Sequence, residues 1–534
     1  MKAKYVTGII VTLFLVSALF TAIPITAQPT VKIGIIGPYG LPHWSPGMKE
    51  AAEMARDEIN AAGGIDIGGT MHDIVLAFED EHAYPTPLPL EAAAAMERLI
   101  TIENCEYIIG GFRTECTEPM VEVAADYGVP FIINGASTDE LISNTVAVNY
   151  ARYKYIHRVN PINSTQLFYT IAGFCAYYLL PYKLLPLYGH DLWTGAPNPQ
   201  VRVGVIMEDL AWTNNMYYAL TNPAVYPTVM GPYYNVTYAG RIPDGTTDCS
   251  SWLQGVKDND CRLLIHVFSG VTGVPFIAQW KSMAVEAVPL GINVMGQLSS
   301  HWGSTAGGCK YESFLAFGGT RTAIVPGVTE VFWDKFYTAT GAWPLYTAWG
   351  SYDGLYGLKE TFEAIDTTDK DAFVAYNEAG NTRNGLSGVF KYTTGTNKHD
   401  VFTNEPGPVW FQGYVRAFLS QWTKAPTQYV GQEVVSPVNK EFSRRFQLPD
   451  WMYATSADIN FDGIVDIYDA ITLSGVFGSG PEADPPDMAK WLTGLGTGLV
   501  KGLESDIKVD GVIDIYDAII LAGQFGTEIP LPMP

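Results

Sequence analysis

"VKIGIIGPYG" (residues 31–40) opens a pattern that decides the fold. It is a short apolar run that stops at a Gly/Pro turn, which is how a strand buried on both faces reads. "SPGMKEAAEMARDEINAAGG" (residues 45–64) follows it. Ser45 stands at an N-cap position with Pro46 behind it. Ala51, Met54, Ala55 and Ile59 recur at helical spacing, and Gly63-Gly64 end the run. The alternation then repeats. "HDIVLAFED" (72–80), "CEYIIGGF" (105–112) and "VPFIING" (129–135) read as strands, and "LEAAAAMERLITIE" (90–103) and "TEPMVEVAADYG" (117–128) read as the helices between them. Strands alternating with helices predict a parallel sheet covered by helices. The rhythm resumes in "VRVGVIME" (201–208), "CRLLIHVFSG" (261–270) and "GINVMGQ" (291–297), so a second α/β layer is expected. "TAWGSYDGLYGLKETFEAI" (347–365) reads as a late helix, and residues 407–425 and 428–437 as closing strands. Residues 177–198, rich in Pro, Tyr and Leu, follow no clean period and read as an insertion.

The chain has 534 residues, is 47% apolar and carries a net charge of -23. Such acidity repels phosphate backbones, so nucleic acid is not an expected partner. Lys2 and Lys4 precede an uncharged apolar stretch from Val6 to Ile23, Pro24 breaks it, and "ITAQ" offers a cleavage site after Ala27. Residues 1–27 therefore read as a secretory signal peptide, or as an uncleaved anchor; either predicts an extracellular or cell-surface protein. The six cysteines (Cys105, Cys116, Cys175, Cys249, Cys261, Cys309) permit disulfides in an exported chain, or stay as buried thiols. Asn163 and Asn235 head glycosylation sequons.

Beyond residue 437 the composition changes. A charged linker (438–456) leads to "DINFDGIVDIYDA" (458–470), repeated as "DIKVDGVIDIYDA" (506–518) with nine of thirteen positions identical. Calcium takes six to eight oxygen ligands, and a loop offering oxygens at positions 1, 3, 5, 7, 9 and 12 with Gly at 6 can wrap it. In the first copy these are Asp458, Asn460, Asp462, the Ile464 carbonyl, Asp466 and Asp469, around Gly463. The second copy offers Asp506, Asp510, the Val512 carbonyl, Asp514 and Asp517, around Gly511, but Lys508 stands at position 3, where an ammonium repels the cation. One strong and one weaker Ca2+ site are expected. Each loop runs into an apolar segment, and no matching helix precedes it. This EF-hand-like pair, residues 457–528 before a short tail (529–534), resembles a dockerin domain, a small all-α calcium-folded module. The resemblance implies a cohesin-like partner, met by Ile467-Tyr468 and Ile515-Tyr516, although those pairs serve equally as local core.

Residues 28–437 are similar to the solute-binding proteins of ABC transporters, of the branched-chain amino-acid type with the periplasmic binding protein type I fold. The stretches that carry this are "IGIIGPYG", "EINAAGGI", "YIIGGFRTECTEP", "VPFIINGASTDELI", "YIHRVNP" and "TAWGSYDGLYGLKE". The resemblance implies two α/β lobes with two parallel sheets flanked by helices, a hinged cleft and crossovers near residues 157, 290 and 365. It also implies a small-molecule ligand and an ABC permease as recipient. Ligand contacts carried over are Trp44, then Thr114, Glu115 and Cys116 in "RTECT", then Ala136, Ser137 and Thr138 in "GAST". Trp212, Ser269 and Gln297 belong to the second lobe. The amino-acid binders place an acid after "MG" for the α-ammonium, whereas this chain has Gln297 and Leu298 there; Glu115 across the cleft could take that role, and a neutral or purely acidic ligand is as compatible.

No G-x-S-x-G, H-E-x-x-H or P-loop motif occurs, so an enzyme is not expected. "EDEH" (79–82) reads as a solvated cap rather than a metal site. A surface sensor of the same fold and a carbohydrate-active component of a dockerin-borne complex are the remaining readings. The calcium reading predicts that chelation unfolds residues 457–528 and leaves the two-lobed part intact, with Asp462→Ala weakening calcium affinity more than a change at Lys508. Circular dichroism with and without EDTA reads this, and a tail equally stable in both counts against it.

Overall fold

A computed structural model describes residues 28–39, 47–84, 86–160, 163–185, 200–317, 321, 327–386, 388–393, 398–401, 417–427, 431–436, 446–449 and 452. The signal segment, Trp44, Ser45, Pro46 and the whole of the calcium-loop repeat lie outside these residues.

Two sheets organise the chain. The first runs β2-β3-β1-β4-β5-β6 and the second β15-β14-β11-β10-β9-β7-β8. In the first, β1 (Thr30–Gly37) pairs in parallel with β3 (Thr70–Asp80) and with β4 (Tyr107–Gly110). β5 (Phe131–Ile133) and β6 (Ile156–Arg158) continue it in parallel. The apolar run of β1 serves both faces. Ile33 and Ile35 pack with Leu355, Leu358 and Phe362 of the helix Tyr346–Ile365, while Ile36 packs with Leu99 and Met120 of the helices Pro89–Thr101 and Thr114–Tyr127. The second sheet holds β7 (Val201–Glu208), β8 (Tyr234–Ile242), β9 (Leu263–Phe268), β10 (Val288–Asn293) and β11 (Ser313–Phe317) in parallel.

Neither sheet is purely parallel, which corrects the expectation. β2 (Ile65–Ile67) turns back along β3 as a hairpin, and β14 (Ala417–Trp422) and β15 (Gln432–Ser436) add antiparallel edges. A two-residue Gly68-Gly69 turn and a short return suffice for such strands, whereas a parallel neighbour needs a long crossover. A separate hairpin joins β12 (Arg383–Gly385) and β13 (Gly388–Phe390).

The first crossover lies at the end of β6, near the expected residue 157, and the other two differ from those expected. The chain leaves the first lobe just after β6, and the helix Ser164–Phe174 already packs with the second. Residue 290 is not a crossing but the middle of β10, because β11, "SFLAF", extends the second sheet first. Residue 365 ends a helix that has already returned to pack on the helix Met48–Ala61 and on β2. A third crossing lies between Val401, in the first-lobe core, and β14.

Other local readings change for identifiable reasons. The first helix begins at Met48 with Gly47 as N-cap, and Glu50 Oε2 accepts the Gly47 N–H at 3.1 Å. Tyr177–Leu184 is not a loose insertion: residues Cys175–Leu184 wind as a π-helix, and Leu179, Leu180 and Leu184 are buried with Val201 and Val203. All six cysteines are free and buried. Asn163 is buried as a helix N-cap, so its sequon is not a surface one. Within "EDEH", Glu79 pairs with Arg98 and Glu81 is wholly buried rather than solvated.

In the second lobe, Glu312 is fully buried. It takes a hydrogen bond from Asn293 Nδ2 at 2.7 Å, lies 2.7 Å from His301 Nε2 and is 3.3 Å from His266 Nε2. Burial opposes its charge, but the two imidazoles and their hydrogen bonds outweigh it and hold the carboxyl down at about 2. A depressed carboxyl contributes stability that is complete above its ordinary value near 4.5 and is lost as pH falls towards about 2. Urea-unfolding free energy is therefore expected to fall more steeply across that window in the wild type than in Glu312→Gln, and equal slopes would remove Glu312 from the explanation.

Candidate ligand cleft

The carboxyl ends of both parallel sheets face one another, and the residues that follow the strands meet there, as expected where loops leave parallel strands. From the first lobe come Phe112, Arg113 and Thr114 after β4, and Gly135 and Ser137 after β5. The second lobe brings Trp212, Ser269, Ile292 and Val294, and Leu167 and Tyr346 come from the helices next to the crossings. Together they line a small cavity between the lobes.

Close backbone approach makes this geometry. A Cβ at Gly110 would stand 1.8 Å from the Ile36 carbonyl oxygen, and its φ of +150° suits glycine. At Gly135 a Cβ would meet the Gly111 carbonyl at 2.5 Å. The "GG" of one loop and the "G" of the next thus let β4 and β5 deliver Arg113 and Ser137 side by side.

The "GAST" loop is held from below by Arg158, which is wholly buried. Its Nη1 donates to the carbonyls of Ala136 and Thr138 at 3.1 and 2.7 Å. Its Nε and Nη2 grip Asp400 at 2.8 and 2.9 Å.

Four bonds join the lobes around the cavity. Arg113 Nη1 donates to Asp244 Oδ2 at 2.6 Å, and Tyr84 Oη donates to the Ser269 carbonyl at 3.0 Å. Glu115 Oε1 accepts the Ala211 N–H at 3.3 Å, and Asn215 Nδ2 donates to Glu140 at 2.9 Å. The arrangement is closed. Behind it, Glu208 accepts N–H bonds from Ser269 and Gly270 and the Ser269 hydroxyl. Burial, with the Asp244 charge added, pushes its carboxyl up to about 7. Burial likewise pushes Glu81 up to about 8, although it accepts the Phe112 N–H at 2.8 Å.

Of the residues expected to touch ligand, Thr114, Ser137, Trp212 and Ser269 line the cavity. Trp44 lies outside the described residues, and the others are placed elsewhere. Glu115 Oε1 takes the inter-lobe bond from Ala211, and its buried Oε2 has no hydrogen-bond partner. Cys116 turns its Sγ towards the His82 carbonyl, 3.9 Å away, and burial pushes its thiol up to about 12. Ala136 has given its N–H to the Gly111 carbonyl, and Thr138 has given its hydroxyl to Glu140. Gln297 is buried but does not line the cavity. Arg113, Tyr346 and the apolar wall residues were not expected; only the position of Arg113 directly before a helix N-terminus at a strand end could have drawn attention to it. Among the described residues no cluster of three or more His, Cys, Asp or Glu fit to hold a metal occurs.

Residues 30–405 match the family described as "Periplasmic binding protein". No curated protein sequence matches the chain. Among solved structures, a putative branched-chain amino acid ABC transporter from Silicibacter pomeroyi is similar at 16% identity, with a TM-score of 0.61 over 79% of this chain and 100% of that one. The branched-chain amino acid transporter substrate binding protein LivJ from Streptococcus pneumoniae, solved with isoleucine, gives 17%, 0.58, 76% and 100%. A solute binding protein from R. palustris, solved with benzoate, gives 15%, 0.54, 78% and 99%. At such identities the likeness is one of fold.

Asp400→Ala leaves the Arg158 charge buried without its partner, and removing one member of a buried pair costs about 3–5 kcal/mol. Urea unfolding is the check: a loss below about 1 kcal/mol would mean that the pair does not hold the loop.

Proposed function

Because this chain belongs to the periplasmic binding protein family, we propose that its cleft captures a small organic solute between the two lobes and delivers it to an ABC-type permease. The observation that carries this is the cavity lined by residues of both lobes and ringed by inter-lobe hydrogen bonds. A solute held there touches both lobes only when they are closed, so it favours the closed form by the contacts it makes there and nowhere else. Isoleucine and benzoate, bound by two of the structural neighbours, support a small organic solute for this cleft. The chain acts by binding, not by turnover.

Export through residues 1–27 would place this capture outside the cell, and the paired acidic loops would add a tether. In this reading Ca2+ folds the first loop around Asp458, Asp462 and Asp466 and the second more weakly around Asp510 and Asp514, and the folded pair docks on a cohesin-like partner. The tether sets where capture happens and has no part in what is captured.

A ligand that binds only the folded protein raises its stability by RT ln(1 + [L]/Kd), about 2.7 kcal/mol at a hundredfold excess over Kd. A screen of amino acids, organic acids, amides and sugars by thermal shift is expected to find a class that raises Tm of the two-lobed part without being consumed. Hydrolysis of a hit at enzyme-like rates would overturn the binding reading.

A further inference from the structure

We propose that the captured solute is a monocarboxylate with an apolar body and no α-ammonium group, and that Arg113 receives its carboxylate. This rests on the solute-capture reading above.

Arg113 lies between β4 and the helix Thr114–Tyr127, and its side chain is 2% exposed. Its guanidinium lies over the Tyr84 ring, 4.2 Å from the centroid, and only Nη1 is committed, to Asp244. Nε and Nη2 are buried and have no hydrogen-bond acceptor. Those two N–H groups lie along one edge of the guanidinium plane, the fork that fits the two oxygens of a carboxylate. A buried charged donor pair without an acceptor is costly to leave so. The residue lines the cavity, so the acceptor it lacks is one the cavity's occupant can bring.

The remainder of the wall selects the rest of the solute. Phe112, Leu167, Trp212, Ile292, Val294 and Tyr346 offer carbon, and the polar atoms that join them are hydroxyls of Thr114, Ser137 and Ser269. No lining residue is an Asp or a Glu. Asp244 already pairs with Arg113, Glu208 takes the N–H groups of Ser269 and Gly270, and Glu81 and Glu115, each with one oxygen unbonded, do not line the cavity. An ammonium in this cavity would therefore lose its water, stand near a guanidinium and meet no carboxylate in the cavity wall. A carboxylate on an aliphatic or aromatic body meets a matching group at each end.

Pairs that differ in one group test this on the full-length protein by calorimetry and thermal shift. The pairs are 4-methylpentanoate against leucine, and benzoate and 4-methylpentanoate against their amides; a wider panel of sugars and polyols accompanies them. At least one of the two acids is expected to bind tenfold or more tighter than its amide, and 4-methylpentanoate tenfold or more tighter than leucine. Arg113→Met should lower affinity for the bound acid a hundredfold or more, and Arg113→Lys, which keeps the charge and loses the fork, should fall between. The wild-type pairs decide the matter even if a variant does not fold. Leucine binding as tightly as 4-methylpentanoate, amides binding as tightly as acids, or binding confined to sugars would overturn the carboxylate assignment and leave solute capture standing. A panel in which nothing binds would overturn both.

Discussion

The structure turns on one buried charge. Arg158 ends β6, where the chain first leaves the first lobe, and it has no access to water. A guanidinium so placed is tolerable only if its charge is matched and its donors are used. Asp400, which arrives from 242 residues further along, supplies the charge and two acceptors. The carbonyls of Ala136 and Thr138 take the remaining donor, Asn163 Nδ2 steadies Asp400 at 2.9 Å, and the Arg158 N–H reaches the His399 carbonyl at 2.9 Å. One ion pair thus fastens the first crossing, the segment that precedes the third crossing and the loop that carries Ser137 into the cleft. The hinge and the binding loop are not separate devices here: a change at either reaches the other through the same guanidinium.

The second organising constraint is direction. Parallel strands send their carboxyl ends one way, and in each lobe that way is the cleft. Glu81, Arg113 and Ser137 follow β3, β4 and β5, and Asp244 and Ser269 follow β8 and β9, while Glu208 ends β7. Loops of unrelated sequence are brought together by sheet order alone, with no need of local complementarity. Their charges then settle by burial. Glu81 and Glu208 lose part of their acidity to burial, which the N–H groups they accept offset only in part, while Arg113 keeps its charge by pairing across the cleft with Asp244.

This explains what could be read in the sequence and what could not. Strands such as β1 and β9 are short apolar runs closed by Gly or Pro, and their period and length are local properties. So is the Gly-Gly stop after Ile59. The lobe to which a strand belongs is not local: β11 escaped notice because "SFLAF" is five residues long and gains its burial only from β10 and β14 beside it. The site shows the same division. Ser137 and Thr114 were legible as hydroxyls at strand ends. Arg113 was not, because an arginine in a polar loop reads as solvated until Tyr84 and Asp244, 29 and 131 positions away in sequence, are seen to enclose it. Glu115, Cys116 and Thr138 read as ligand contacts for the opposite reason: they stand next to the residues that line the cavity, but the first turn of the helix Thr114–Tyr127 carries Glu115 and Cys116 towards protein, and Thr138 is bonded to Glu140.

Arg113 also suggests how capture and closure are linked. Its Nη1 edge faces Asp244 of the opposite lobe, and that bond exists only when the lobes are together. Its Nε and Nη2 edge is the one offered to the solute. The guanidinium is planar and rigid, so a carboxylate bound along one edge fixes the plane, and the plane fixes whether Nη1 reaches Asp244. A solute that merely filled the apolar wall would stabilise the closed form by its contact area, whereas one that also locks this plane adds the order of the Arg113–Asp244 bond to its own affinity. A ligand shifts a conformational equilibrium only by its difference in affinity for the two states, and this arrangement creates such a difference at a single residue.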